Sequence, residues 1–274
     1  MKKLNIAIVY DKNQPYTTGV YCKNAFESLG HIVTFYDINK RVVRKYDYVI
    51  KIDDGEPKGF KCMPWHKKIF WAIDTHTNFE RLNKIAQDAD YVFCCQKNGV
   101  DLFAMEGISA TWLPLAGFIE TPQYALNQPY DVAFVGGVDT DKRKLLKAKL
   151  EKLPIKMFFG NAKREDIAPK YTGTTIGLNT HVNNDINMRT YEVTINGALL
   201  IMERVVDNGM ESIFIENKEY LAYTNTDELC QIIENVMKNP EKYQKIREAG
   251  HKRAIAEHTY THRMEKMLFD VEEI

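Results

Sequence analysis

Arg189 and Glu192 stand one helical turn apart in Asn187-Met188-Arg189-Thr190-Tyr191-Glu192, a guanidinium and a carboxylate on one helix face near its amino end. Backbone N–H groups and the helix dipole favour a bound phosphate there. The pair fits nucleotide-sugar binding, with the cation meeting a diphosphate and the carboxylate taking ribose hydroxyls. An Arg-x-x-Glu in isolation reads as a surface ion pair; the setting gives this one its weight. Leu178-Asn179 closes an apolar strand, a polar loop through His181 follows, and Gly197 stops the helix before the next apolar run.

Two further strand ends in the same half carry small residues. Val135-Gly136-Gly137 runs towards the basic helix start Lys142-Arg143, and Phe158-Phe159 runs into Gly160-Asn161. Glycines at such ends let a ligand approach the backbone, although a tight turn with an Asp or Thr cap explains the first of them as well. Ligands of open α/β sheets collect at the carboxyl ends of strands. Gly136, Gly137, Gly160, Asn161, Asn179 and His181 are therefore candidate ligand positions. In the first half Trp71-Ala72-Ile73 ends in Asp74-Thr75-His76, either an acid/base pair or an N-cap aspartate with a surface histidine. Asp53-Asp54-Gly55 reads as a turn. His258 and His262 have the i, i+4 spacing of a zinc pair, but no Glu follows the first and no third ligand is apparent, so they read as packing residues.

These residues are positioned by short apolar runs alternating with helical patterns, the rhythm of parallel sheets flanked by helices. The first half reads as strands over 5–10, 31–36, 48–52, 68–73 and 91–95, with helices over 18–29, 79–88 and 100–105. The second reads as strands over 131–135, 155–159, 175–179 and 198–202, with helices over 142–150, 188–196 and 226–237. The tail from 241 to about 270 is helix-forming throughout. The expected organisation is two Rossmann-like domains, 1–118 and 130–254, joined through a linker holding Pro122 and Pro129, with a terminal helix over 255–274 that packs back on the first domain.

Several functions are disfavoured. Asp11 to Gly19, after the first strand, contains no Gly-x-Gly-x-x-Gly turn, which argues against a dehydrogenase, and the phosphate-binding lysine loop of kinases and ATPases is absent. Lys plus Arg and Asp plus Glu each number 37, so no overall charge excess points to an obligatory nucleic-acid or membrane partner, though a local basic groove remains compatible. Residues 1–10 read as a buried strand rather than a signal peptide, and no run reaches the roughly 20 apolar residues needed to span a bilayer. A cytoplasmic protein is expected. The five cysteines form no Cys-x-x-Cys pair and read as reduced thiols.

Val135-Gly136, Arg143 opening a helix, Leu178-Asn179, Arg189-Thr190-Tyr191-Glu192, Gly197 and the closing His258-Thr259-Tyr260-Thr261-His262-Arg263 occur in an order that resembles the CgeB-type, spore-maturation-protein-like glycosyltransferases. Trp71-Ala72-Ile73-Asp74, Ala89-Asp90-Tyr91-Val92-Phe93 and Trp112-Leu113-Pro114-Leu115-Ala116 are similar to the amino-terminal half of that family. The resemblance implies a GT-B fold: two Rossmann-like domains facing a cleft, donor in the second, acceptor in the first, and a terminal helix crossing back. It implies transfer of a hexose or pentose from a nucleotide-diphosphate sugar, such as a UDP-sugar, to an acceptor hydroxyl, with no metal or other cofactor. The acceptor would be a polysaccharide, glycolipid, protein or modified DNA base. By position Glu192 would hold the ribose and Arg189 or Arg143 the diphosphate, with Tyr191 in the same motif. Asp74 or His76 would be the base of an inverting reaction. Retaining relatives often carry a second Glu where this chain has Asn184, with Asp185 beside it, which departs from the usual sugar-hydroxyl contact. A nucleotide-sugar epimerase or hydrolase, or a non-catalytic sugar-nucleotide or glycan-binding module, fits the same features.

Overall fold

The strands come from continuous apolar runs rather than alternating ones, the pattern of parallel strands covered on both faces. A computed structural model describes residues 2–11, 18–119 and 129–273, and the chain divides into two units, Met1–Leu115 with Tyr260–Ile274, and Ala116–Thr259.

The first unit holds β1 (Asn5–Tyr10), α1 (Thr18–Ser28), β2 (Ile32–Asp37), β3 (Tyr48–Ile52), β4 (Lys67–Ala72), α2 (Thr75–Ala86), β5 (Tyr91–Cys94), α3 (Lys97–Met105) and β6 (Ala110–Trp112). Its strands form one parallel sheet in the order β2-β1-β3-β4-β5-β6. Ile6, Ile8, Val49, Ile50 and Ile52 are wholly buried, whereas Ile32 on the edge strand β2 is 49% exposed.

The second unit holds β7 (Val132–Val135), α4 (Asp141–Leu150), β8 (Met157–Gly160), α5 (Arg164–Tyr171), β9 (Ile176–Asn179), α6 (Arg189–Ile195), β10 (Leu199–Glu203), α7 (Met210–Ile213), β11 (Leu221–Tyr223), α8 (Thr226–Lys238) and α9 (Pro240–Glu257). The sheet is again parallel, ordered β11-β10-β9-β7-β8. The chain steps outward from β7 to β8 and then returns to the other side of β7, so the topological switch point lies between β7 and β9. Val132, Phe134, Ile176, Leu178, Leu199 and Ile201 form the sheet side of the core. Gly197 ends α6 with φ +77°: its N–H bonds Thr194 O at 3.1 Å and the Ala198 N–H bonds Val193 O at 3.2 Å. This double closure needs a left-handed residue, and only glycine enters that region freely.

The tail is two helices rather than one. His258 leaves helical geometry at φ −124°, ψ 38°, its ring bonds Ile213 O at 2.9 Å, and its carbonyl accepts the Gly117 N–H at 2.9 Å. Those bonds compete with helix continuation, so α10 (Tyr260–Glu273) begins at Tyr260 rather than at 255. It packs on α1, with the Tyr260 ring 5.1 Å from Tyr21, and the Arg263 Nε donates to Pro114 O and Leu115 O at 2.8 and 3.2 Å. Within 211–215 the chain makes the helical turn α7, and α5 and β11 are elements that the apolar pattern does not announce. The linker residues 120–128 lie outside the described residues. Among the described residues no helix is long and apolar enough to cross a membrane.

Candidate functional site

The ends of β7 and β9 carry Gly136-Gly137 and Thr180-His181, and two guanidiniums converge on them. Arg189 opens α6 and reaches back across the sheet end. Its Nε donates to Val135 O at 2.5 Å, one Nη donates to Asn179 Oδ1 at 2.9 Å, and its charge lies 4.2 Å from the centre of the Phe134 ring. Arg143 lies in the first turn of α4, whose N-cap Thr140 accepts the Arg143 N–H at 3.3 Å. Its guanidinium donates to Gly137 O at 3.1 Å and Thr180 O at 3.3 Å, and sits 5.5 Å from the same ring. Burial and then the neighbouring Arg189 push the Arg143 pKa down. Both cations are thus held at a switch point by neutral oxygens and one aromatic face, a setting that favours an anion.

Gly136 makes room for this arrangement. A Cβ at this position would fall 2.0 Å from Arg189 Nη2. The Gly136 N–H donates to Gly160 O at 2.8 Å, so Gly160 serves β7 through its carbonyl, and Asn161 beyond it is exposed at the end of the edge strand β8. Asn179 is wholly buried. Its Nδ2 donates to Asn187 Oδ1 and Thr190 Oγ1 at 3.1 and 3.0 Å while its Oδ1 accepts from Arg189, so it acts on the site by holding the guanidinium.

Other expected residues are placed differently. Tyr191 follows Arg189 by two positions, about 200° around the helix, and its ring is wholly buried beside Phe214 and His258. The fully buried ring packs the core rather than presenting itself to a ligand. The first N–H groups of α6 are also engaged: Thr190 N–H bonds Asn187 O at 3.2 Å, and Tyr191 and Glu192 N–H bond Met188 O at 3.0 Å each. The cationic groups that face the strand ends are therefore the arginine side chains, while the Thr190, Tyr191 and Glu192 amides are already bonded. Glu192 is half-buried one turn beyond Arg189.

His181 Nδ1 accepts the Asn184 N–H at 3.1 Å, which leaves Nε2 to carry the proton that meets Arg204 O at 3.2 Å, the neutral tautomer. Asn184, in left-handed backbone at φ 64°, is an anchor: its Oδ1 accepts the Val206 N–H at 2.9 Å and its Nδ2 donates to Val206 O at 2.6 Å. Nearby Glu203, ending β10, accepts from Lys142 Nζ at 2.6 Å and Thr180 Oγ1 at 2.8 Å. Burial raises its pKa, but these bonds outweigh burial and the net direction is down.

Asp74 and His76 belong to the first unit. Asp74 is exposed at the start of α2, where its carbonyl accepts the Thr77 and Asn78 N–H groups but its side chain makes no capping bond, and His76 is half-buried. The Asp74 N–H is held by Asp53 Oδ2 at 3.1 Å. Asp53 is in turn paired with Arg81 at 2.9 Å, and Asp54 with the wholly buried Lys51 at 2.6 Å. The expected turn at Asp53-Asp54-Gly55 is present, with the Gly55 N–H on Asp53 Oδ1. His258 and His262 lie on either side of the helix break, and among the described residues no group of His, Cys, Asp or Glu could hold a metal ion.

Sequence reasoning missed Tyr171 and Phe134. The wholly buried Tyr171 hydroxyl accepts the Val135 N–H at 3.1 Å and meets Arg189, and burial raises its pKa strongly. No local pattern connects α5 to Arg189, whereas Phe134, just before the glycine pair, was within reach of a strand-end reading.

Two parallel α/β units, the second with this switch-point site, have the fold of the GT-B glycosyltransferases. Residues 143–269 match the family described as glycosyl transferase-like. Among solved structures the chain is similar to sucrose-phosphate synthase from Thermosynechococcus elongatus, at 11% identity and TM-score 0.63 over 99% of both chains. It is similar to HepE from Anabaena in complex with UDP-glucose, at 10% identity and TM-score 0.64 over 99% of this chain and 100% of that one. A glycosyltransferase from Rickettsia africae aligns at 13% identity and TM-score 0.62 over 100% and 99%. No curated protein sequence matches the chain.

Proposed function

We propose that the chain is a glycosyltransferase whose second unit binds a nucleotide-diphosphate sugar, with Arg143 and Arg189 on the diphosphate and Glu192 on the ribose. The observation that carries this reading is the convergence of the two guanidiniums over Phe134 at the β7/β9 switch point. The glycosyl transferase-like match over residues 143–269 and the fold shared with a UDP-glucose complex support it, as does the order of motifs that resembles the CgeB-type family.

In the transfer the bond between the anomeric carbon and the diphosphate oxygen breaks, and a bond to the acceptor oxygen forms. The nucleoside diphosphate leaves with the electron pair, and the acceptor proton passes to a base. The two guanidiniums stabilise the departing charge, so metal-independent transfer is the reading. Asp74 and His76 of the first unit are the candidate bases for an inverting course. The acceptor is a hydroxyl of a polysaccharide, glycolipid, protein or modified DNA base.

The test is a thermal-shift screen of nucleoside diphosphates followed by nucleoside diphosphate release from candidate sugar donors. A ligand at a hundred times its Kd stabilises the fold by roughly 2.7 kcal/mol, and Arg189→Ala should abolish that shift. Absence of binding and release with every donor would overturn the reading.

A further inference from the structure

In the first sheet the connections β2 to β3 and β3 to β4 contain no helix. Parallel crossovers are right-handed, which lays both on one face of the sheet. They are stitched into one layer: the Val42 N–H donates to Lys61 O at 2.7 Å, Val42 bridges to Cys62, and His66 Nε2 bonds Arg44 O at 2.7 Å. The inner side is apolar, with Val42 packed among Ala7, Val9 and Val49.

The outer side is basic. Lys40, Arg41, Arg44, Lys45, Lys61 and Lys67 are all exposed, and none forms an ion pair with a described residue. Acids of the same stretch are engaged elsewhere: Asp47 accepts the Asn5 N–H at 2.7 Å, Asp53 holds Arg81 and Asp54 holds Lys51, leaving Glu56 half-buried. Amid the cations Trp65 is 61% and Val43 59% exposed. The Trp65 indole is backed by a file of rings, 5.9 Å from His66, which is 6.4 Å from Tyr46. Asp88 and Asp90 are exposed near Cys62 at the start of β4, where Asp88 pairs with Lys68 and Asp90 accepts the Lys68 N–H. In a chain whose acids and bases balance, the rest of this layer is predominantly cationic, with an aromatic and an aliphatic side chain held out to solvent.

We propose that this face docks the protein on a bilayer surface bearing anionic lipids. Lysines and arginines meet headgroup phosphates, and Trp65 with Val43 enters the interfacial region, where an indole is at home. A polynucleotide fits less well. A base could stack on Trp65, but the exposed aliphatic Val43 beside it gives a polynucleotide nothing to pair with, whereas the interfacial region takes up both side chains. The inference is independent of the donor site.

The full-length protein is sedimented with vesicles of phosphatidylcholine alone and of phosphatidylcholine with phosphatidylglycerol. Binding is expected only with the anionic lipid, accompanied by a blue shift in tryptophan emission that Trp65→Ser removes, and it should collapse at about 0.5 M salt, where screening is short-ranged. Each cation near the surface contributes about five-fold, so Arg44→Glu with Lys45→Glu should lower partitioning at least 25-fold, and Lys61→Glu with Lys67→Glu should do the same. Melting temperatures near wild type establish that both variants are folded. Equal binding to both vesicle types, retention by either folded variant, or capture of duplex DNA with no vesicle binding would overturn the proposal.

Discussion

Replacing Gly136 by alanine tests the site through a single methyl group. The new Cβ would lie 2.0 Å from Arg189 Nη2 and 3.0 Å from its Cζ. The obstructing atoms are the far end of a flexible side chain, so Arg189 gives way, while the Gly136 backbone at φ +158° adds strain that lowers the melting temperature separately from affinity. In moving, the guanidinium leaves Val135 O and Asn179 Oδ1, the two acceptors that aim it at the switch point. A hydrogen bond to a charged group contributes about 1.5–3 kcal/mol, which corresponds to about 10- to 150-fold in Kd.

Calorimetric titration of UDP into Gly136→Ala should show that loss while the protein still melts cooperatively. Gly137→Ala is the control, because its Cβ would meet only Asp139 Oδ2, at 3.1 Å. The sharper test is a double-mutant cycle. If Gly136→Ala acts by displacing Arg189, it should cost almost nothing in an Arg189→Ala background. Wild-type affinity in Gly136→Ala, or losses that simply add in the double variant, would refute the reasoning.

Lys51 and Asp54 form an ion pair with no side-chain exposure, so Asp54→Ala should destabilise the protein by about 3–5 kcal/mol in urea denaturation, whereas Lys51→Met combined with Asp54→Leu should recover most of it. Glu203, with its pKa held below the ordinary carboxylate range in the folded state, adds stability that is present above its unfolded pKa of about 4.3 and disappears as pH falls through the folded value. The urea midpoint gap between wild type and Glu203→Gln should therefore be constant near neutrality and close in acid. Cys22, Cys94 and Cys95 are buried with thiol pKa values pushed up by burial, Cys94 to about 11, while Cys62 and Cys230 are partly exposed. Alkylation followed by mass mapping should label Cys62 and Cys230 first and the other three only on unfolding.

The fold was largely legible because its strands are buried on both faces and announce themselves as unbroken apolar runs, as in residues 5–10 and 198–202. Elements without that signature were not. Leu221-Ala222-Tyr223 is too short to show a period, and α5 contains Pro169, which argues against a helix in sequence. The break at His258 is set by bonds to Ile213 and Gly117, partners far away in sequence, so a helix-forming tail gave no warning. At the site, Arg143, Arg189 and Gly136 were readable from strand ends and spacing. Their direction was not: the spacing of Arg189 and Glu192 pictured a phosphate on the amides of α6, while the structure turns Arg189 across two strands, aided by a tyrosine from α5.

The partners of the two arginines explain how such a site is kept ready for an anion. A carboxylate would fix a guanidinium as firmly as a carbonyl does, but it would also cancel its charge. Here the hydrogen bonds of Arg189 go to Val135 O and Asn179 Oδ1 and those of Arg143 to Gly137 O and Thr180 O, while Glu203, the acid at the end of β10, is bonded to Lys142 and Thr180. Geometry is thus supplied by neutral oxygens and the Phe134 ring, while the Asp185 and Asp139 carboxylates offset part of the positive potential at Arg143. Burial first, and then the neighbouring Arg189, push the Arg143 pKa down, so the two cations repel each other in a partly buried place. In the proposed reaction a bound diphosphate would relieve that repulsion, and a leaving diphosphate gaining charge would relieve it further. Interactions that strengthen as charge develops act on the rate as well as on affinity.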